Sequence, residues 1–308
     1  MGTLAWIFPG QGSQIVGMGQ KVRERSPRAR EVFERADAAL GEPLSKLIAE
    51  GPIETLTLTA NAQPALVTTC IAILEALREA GAVQEPTFAA GHSLGEYTAL
   101  VAAGALSLED AVRLVRARGQ FMQEAVPAGV GAMAAVMALD EATLTTICAE
   151  ASQPGESVEL ANFNSPGQIV ISGSKAAVER ASAAVSAAKG RAIALNVSAP
   201  FHSSLMKPAA ERLARVLSEV KIGALAFPVV ANVDATPNQD PSKVVDLLVR
   251  QVAGSVRWEP SIRAMEAQGV TRMIEVGPGK VLAGMVKKIS KAIEVTSLDD
   301  VPVLAQPS

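Results

Sequence analysis

The sequence predicts an α/β fold in two parts: a large, mostly parallel sheet covered by helices, with a small α+β unit set into it. Three observations point there. Short apolar runs alternate with helix-length amphipathic segments at both ends of the chain, as in a parallel sheet covered on both faces. Between about 130 and 197 that rhythm gives way to the order β-α-β-β-α-β. Over the 308 residues, 49% are hydrophobic and 19% charged, the balance of a core-forming chain and not a disordered one.

Each element has its own signal. LAWIF, ended by Pro9 and Gly10, reads as a buried strand, and GQGSQ follows as a loop. A helical region runs to about Leu40, and a long apolar helix spans 64–80, closed by Gly81. The segment from Phe88 to Gly91 leads as a strand into a helix, with the change near Ser93, and a further helix covers 108–125. In the insert, VGAMAAVMAL is a strand and DEATLTTICAEA a helix. SVELANF and QIVISG are strands joined by the turn NSPG. SKAAVERASAAVSAAKG is a helix opened by a Ser cap, and RAIALNV a last strand. This order is ferredoxin-like, which sets the small unit at 128–197 and the large one at 1–127 and 198–308. After His202 follow PAAERLARVLSEV (helix), FPVVANV (strand), SKVVDLLVRQVAG (helix), RMIEVG (strand) and KVLAGMVKKISK (helix). The tail VPVLAQPS is expected to be loose.

Composition removes several function classes. A net charge of −3 argues against a generally basic nucleic-acid binder, and 3% aromatics leaves few stacking platforms for single strands. No basic start precedes a long apolar run at the N-terminus, so no secretory signal is expected. Gly2 is followed by Trp6 where an N-myristoylation signal needs Ser or Thr. No uninterrupted run of about 18–20 apolar residues predicts a membrane span. Cys70 and Cys148 lie in helical patterns and read as buried, reduced thiols, which makes a cytoplasmic protein the expectation. There are two histidines, His92 and His202, too few for most histidine-based metal sites.

Gly91-His92-Ser93-Leu94-Gly95 fits G-x-S-x-G. A nucleophilic serine must stand exposed on a sharp strand-to-helix turn, and the two glycines let the chain pack there. The competing reading is a capping box, Ser93-x-x-Glu96, in which Ser93 only starts a helix. A serine nucleophile needs a base. His92 is its chain neighbour and points elsewhere as a rule, which leaves His202. The group that orients His202 is open: Asp234, Asp240 and Asp246 have no distinctive context, and a backbone carbonyl serves equally well. GQGSQ at 10–14 lacks the third glycine of a dinucleotide fingerprint, and Gly277-Pro278-Gly279-Lys280 lacks the spacing of a P-loop. A better use of GQGSQ is a backbone N–H aimed at an oxyanion, against an ordinary glycine turn. Arg118 suits carboxylate binding, or else belongs to a solvated face with Arg113 and Arg116.

Together these pieces closely resemble the bacterial malonyl-CoA:acyl carrier protein transacylases of type II fatty acid synthesis and the related acyltransferase domains of polyketide synthases. The match covers FPGQGSQ at 8–14, NAQPA at 61–65, GHSLGEY at 91–97, Arg118 in RARGQ, NFNSPGQIVISG at 162–173, FHSSLMKPAA at 201–210 and EVGPGKVL at 275–282. The resemblance implies an α/β-hydrolase-like large part. It implies Ser93 as the acylated nucleophile, His202 as its base, and the N–H groups of Gln11 and Leu94 as the oxyanion hole. By the same resemblance the backbone carbonyl of Gln251 orients His202 and Arg118 holds the free carboxylate of the malonyl group. Gln63 and Asn162 line the site, and Phe201 matches malonyl-selective acyltransferases. Ser255 departs from the pattern, which often has Pro there. The implied substrates are malonyl-CoA and an acidic, phosphopantetheinylated acyl carrier protein, with no metal, nucleotide or redox cofactor, no nucleic acid and no membrane. Arg113, Arg116, Lys287 and Lys288 are candidates for a basic rim that meets the carrier, or else solvated helix faces. The rival readings are a serine thioesterase or esterase, which would release free malonate, and a non-catalytic acyl-binding module, whose Ser93 a serine reagent would not label.

Overall fold

The computed structural model describes residues 3–127, 129–197 and 199–300; the tail expected to be loose, 301–308, lies outside the described residues. Ten strands are assigned there: β1 (Thr3–Phe8), β2 (Phe88–Gly91), β3 (Gly131–Met137), β4 (Val158–Ser165), β5 (Gln168–Ser174), β6 (Arg191–Ala194), β7 (Val229–Val230), β8 (Pro237–Asn238), β9 (Val270–Val276) and β10 (Glu294–Leu298). They form two sheets, a six-stranded one in the order β10-β9-β1-β2-β7-β8 and a four-stranded one in the order β4-β5-β3-β6.

The large sheet is parallel from β10 through β7, with β8 antiparallel at the edge. β1 lies inside it and is apolar on both faces. Leu4, Trp6 and Phe8 enter one cluster with the helices Pro27–Leu40, Thr59–Glu79, Gly95–Ala102, Leu108–Glu124, Lys207–Leu217 and Val244–Ala253. Ala5 and Ile7 enter the other, with Trp258, Ile262 and Met265 from helix Trp258–Ala267 and Leu282 and Val286 from helix Val281–Ile289. The period of two along LAWIF thus divides between two layers of helix. Burying each such side chain stabilises the fold by about 1.5–3 kcal/mol. Phe8 and Gly91 end adjacent parallel strands in register, and loops at this carboxyl edge are where open α/β sheets bind ligands.

In the small sheet every adjacent pair is antiparallel. Helices Glu141–Ala151 and Lys175–Ala187 cover one face. Met133, Ala135, Ala161 and Val170 point the other way, into the main core, and attach the small sheet to the large one. Ser174 caps its helix by accepting from the Ala177 N–H, as its position predicts.

Several boundaries differ from the expected ones, for physical reasons. The helix expected from 64 begins at Thr59 and carries Pro64 inside it. Proline favours a helix start, but here the turn before it is held by tertiary contacts, Gln11 Nε2 donating to Thr59 Oγ1 and Arg116 Nη1 to Asn61 Oδ1. FPVVANV keeps only two strand residues, because the Asn232 N–H leaves the ladder for the Glu96 carboxylate at 3.0 Å. RAIALNV is strand only to Ala194, and Leu195, Asn196 and Val197 turn aside to line a cavity. Helices Leu44–Glu50, Ile53–Thr57 and Trp258–Ala267 and strand β10 had no clear sequence signal. Two of those helices follow a proline directly, and Pro260 stands in the first turn of the third, where it is tolerated. Helix Thr59–Glu79 is long and apolar enough to cross a membrane by length and composition alone, yet 83% of its most apolar window is buried inside the protein.

Candidate active site

The elbow after β2 depends on its two glycines. A Cβ on Gly91 would lie 1.9 Å from the backbone of Gly95, and one on Gly95 would lie 2.2 Å from the Phe8 carbonyl oxygen. No larger residue fits either place. Ser93 between them has φ 51°, a left-handed backbone that L-residues rarely adopt, as a nucleophile on a sharp turn requires. The capping-box alternative does not hold. The residue before helix Gly95–Ala102 is Leu94, with no side-chain cap, and the Glu96 carboxylate turns inward to the Asn232 N–H and to Gln251 Nε2.

His202 comes to Ser93 from 109 residues away. Its Nε2 lies 2.7 Å from Ser93 Oγ. Its Nδ1 faces the Gln251 carbonyl at 3.0 Å and the Gly254 carbonyl at 3.1 Å. These carbonyls stand at the C-terminus of helix Val244–Ala253, where acceptors lack intrahelical partners. They fix Nδ1 as the protonated nitrogen and leave Nε2 free to accept. None of the three aspartates orients this ring: Asp234 and Asp246 face Arg250, and Asp240 accepts from Ser242. Ser255, the departure from the family pattern, donates to the Leu160 carbonyl at 2.6 Å and ties the segment to β4. His92 points away, its Nε2 2.8 Å from Asn164 Oδ1 and its ring against Trp258.

Arg118 is the unexpected partner. It is 2% exposed, and its Nη2 donates to Ser93 Oγ at 3.1 Å and to Gln251 Oε1 at 3.0 Å, while Nη1 donates to Gln63 Oε1 at 2.8 Å. Its Nε has no acceptor, and among the described residues no carboxylate lies within ion-pair distance of the guanidinium. A buried cation held only by neutral groups is costly unless an anion joins it. Arg113 and Arg116 do not share this place: Arg113 pairs with Asp110, and Arg116 is bound to Glu42 and Asn61.

A cavity of about 220 Å³ opens over these groups. Gln11, Gln63, Ser93, Leu94, Arg118, Asn162, Phe201 and His202 all line it. Gln11 is anchored by its Nε2 to Thr59 Oγ1 at 3.1 Å. Among the described residues no protein acceptor takes the N–H of Gln11 or of Leu94, and Leu94 stands at a helix N-terminus, where the dipole favours negative charge.

Burial governs the ionisation of the site. It pushes His202 down to about 3, with the Arg118 charge adding to the effect and the two carbonyls opposing it. His92 is lowered by burial as well. Both rings are neutral at pH 7. Glu96 is pushed up to about 7 by burial, against the hydrogen bonds from Asn232 and Gln251 and the field of Arg118.

Two residues escaped the sequence reading. Asn232 accepts the Ser93 N–H at 2.7 Å and donates to the Gly91 carbonyl at 2.7 Å, pinning the elbow from both sides. Glu96 holds Asn232 and Gln251 together behind it. A polar residue inside each apolar run was the only available signal.

The chain matches the acyl transferase domain family over residues 5–306. It is 52% identical over 302 residues to the malonyl CoA-acyl carrier protein transacylase of Bacillus subtilis, covering 97% of this chain and 94% of that one. The crystal structure of an acyl carrier protein S-malonyltransferase from Vibrio cholerae superposes with a TM-score of 0.94 at 46% identity, covering 97% of each chain. A malonyl-transacylase in complex with its type II PKS acyl-carrier protein superposes with a TM-score of 0.94 at 44% identity, over 97% of this chain and 96% of that one. The chain therefore belongs to the acyl transferase domain family, and within it to the malonyl CoA-acyl carrier protein transacylases.

Proposed function

We propose that this protein transfers the malonyl group of malonyl-CoA to the phosphopantetheine thiol of an acyl carrier protein, through a malonyl-Ser93 ester, supplying the extender unit of fatty acid biosynthesis. The observation that carries this reading is Arg118: a buried guanidinium that no carboxylate of the described residues touches directly, 3.1 Å from the Ser93 hydroxyl. An acyl group with a free carboxylate completes it, and an acetyl group does not.

In the first half-reaction His202 Nε2 takes the Ser93 proton as Oγ attacks the thioester carbonyl. The N–H groups of Gln11 and Leu94 receive the developing oxyanion. His202 then gives its proton to the leaving CoA sulfur. In the second half the carrier thiol, deprotonated by His202, attacks the malonyl-Ser93 ester, and Ser93 leaves with the proton from His202. Through Nδ1, the Gln251 carbonyl steadies the imidazolium that forms in each half. Gln63 fixes Arg118, and Asn162 and Phe201 close the acyl pocket.

The finer architecture is part of the same proposal: an α/β-hydrolase-like large part at 1–127 and 198–308 and a ferredoxin-like small part at 128–197. Its support is the order β4-β5-β3-β6 with two helices on one face, beside a mostly parallel sheet with a serine elbow. We place the protein in the cytoplasm, in keeping with two buried, unpaired thiols.

The test is a competition of malonyl-, methylmalonyl- and acetyl-CoA for one phosphopantetheinylated carrier protein, reading the acyl group on the carrier by mass. Malonyl-carrier as the main product supports the reading. Free malonate with an unloaded carrier makes the protein a thioesterase instead.

A further inference from the structure

We infer that Glu96 is the counter-ion of Arg118 in the empty site, and that the arriving malonyl carboxylate ends this role by making Glu96 take up a proton from solvent. The inference rests on the malonyl reading above and adds to it a proton that accompanies binding.

The link between the two charges is a single amide. Arg118 Nη2 donates to Gln251 Oε1 at 3.0 Å, and Gln251 Nε2 donates to Glu96 Oε2 at 2.8 Å. Each charge polarises the amide in the direction that suits the other. Both ends are buried, Arg118 at 2% and Glu96 at 3% exposure. Above about pH 7 the site thus holds one positive and one negative charge away from water. A malonyl carboxylate on Arg118 adds a second negative charge to the same enclosure. An uncompensated buried charge is costly, and the group nearest to neutrality yields first.

That group is Glu96. Burial brings it to about 7 against the hydrogen bonds from Asn232 and Gln251 and the charge of Arg118, with Asp234 assisting from the turn after β7. Among the other buried neighbours, burial lowers His202 to about 3 and lowers His92 as well, while it raises Tyr97, on the same helix, and Cys70, on helix Thr59–Glu79. On that helix Glu75 and Arg78 pair with each other two turns or more beyond Gln63. On helix Val244–Ala253 the exposed Asp246 and Arg250 do the same. β1 and β2 carry no ionisable side chain.

The sign follows. Below about pH 7 Glu96 is already protonated, and malonyl binding takes up no proton. Above it, binding must first add one, so malonyl affinity falls by about tenfold per pH unit until the pKa of the loaded site is reached. Acetyl-CoA carries the same CoA phosphates without the second carboxylate and sets the baseline.

The test uses the full chain with Ser93→Ala, so that binding is read without transfer. The dissociation constants of malonyl-CoA and acetyl-CoA are measured from pH 6 to 9. The malonyl preference is expected to be flat to about pH 7 and to fall about tenfold per unit above it. Adding Glu96→Gln, which mimics the protonated acid, is expected to flatten the profile. Calorimetry at pH 8 in two buffers of different ionisation heat reads the proton directly and needs no Glu96 variant: uptake on malonyl-CoA and none on acetyl-CoA. A malonyl preference that is independent of pH and free of proton uptake overturns the inference and leaves the malonyl reading intact. A slope that survives Glu96→Gln assigns the proton elsewhere and overturns it too. No malonyl preference at any pH removes the role of Arg118 and the inference with it.

Discussion

The guanidinium of Arg118 lies 3.1 Å from the hydroxyl of Ser93, and among the described residues no carboxylate touches it directly. A cation this close lowers the cost of negative charge on Oγ. In the mechanism we propose, it also receives the free carboxylate of the malonyl group, so that one side chain serves Ser93 before the acyl group arrives and the acyl group afterwards.

Arg118→Ala is expected to lower kcat/KM for malonyl-CoA by about ten- to a hundredfold, the worth of a charge-assisted hydrogen-bonded pair of about 1.5–3 kcal/mol. Acetyl transfer to the carrier should persist or rise. Steady-state rates with both thioesters check this, and equal loss of both would remove Arg118 from selectivity.

The pH profile should lack an ordinary histidine limb. His202 acts as the base only when neutral, and burial with Arg118 holds it at about 3. The rate of Ser93 acylation should therefore stay level as pH falls from 7 to 5, where a histidine at its usual 6.5 would lose over tenfold. Arg118→Ala removes one of the lowering effects, so its acid limb should move upward. Stopped-flow acylation rates read both.

The same shift carries a cost in stability. His202 and His92 take up protons more readily unfolded than folded, so below about pH 6.5 the unfolded state binds more protons. Their contribution should be fully present above 6.5 and decline as pH falls below it, while Glu96 and Glu275, raised by burial, act in the opposite sense. Urea midpoints at pH 7.5 and 5.5 are therefore compared between the wild type and His202→Gln: the wild type should lose more on acidification, and an equal change in both would contradict it.

Gly91→Ala places a methyl group 1.9 Å from the Gly95 backbone, where nothing flexible can give way. We expect destabilisation by about 1–3 kcal/mol and loss of acyl-enzyme formation, since the turn presenting Ser93 must open. Asn232→Ala should cost a similar amount by orphaning the Ser93 N–H. Denaturant midpoints with acylation rates distinguish this from a surface effect.

Much of this site was legible because its chemistry is local or scarce. The strand, the glycine-flanked Ser93 and the following helix lie within one short run of sequence. With two histidines in the chain, the base was a matter of elimination, and the structure places His202 Nε2 on Ser93 Oγ. The backbone carbonyl at Gln251 was implied only by family resemblance, because a main-chain acceptor leaves no mark on residue identity. Glu96 and Asn232 were illegible for another reason. Their bond spans 136 residues, and each also fits an ordinary local role, Glu96 a helix cap and Asn232 a strand position. The apolar run LAWIF, closed by Pro9 and Gly10, marked β1 well, whereas β7 stops at two residues because a distant carboxylate claims the next N–H. Local patterns specify elements; the ends of elements near the site are set by partners far away in the chain.

The most direct measurement is to mix the protein with malonyl-CoA alone, map the acyl group by peptide mass spectrometry, and then add phosphopantetheinylated carrier protein. The account predicts malonyl on the peptide containing Ser93, its discharge onto the carrier thiol, and neither event in Ser93→Ala or His202→Ala. Stable malonylation that persists in Ser93→Ala, or a Ser93 ester that water discharges and the carrier does not, would contradict it.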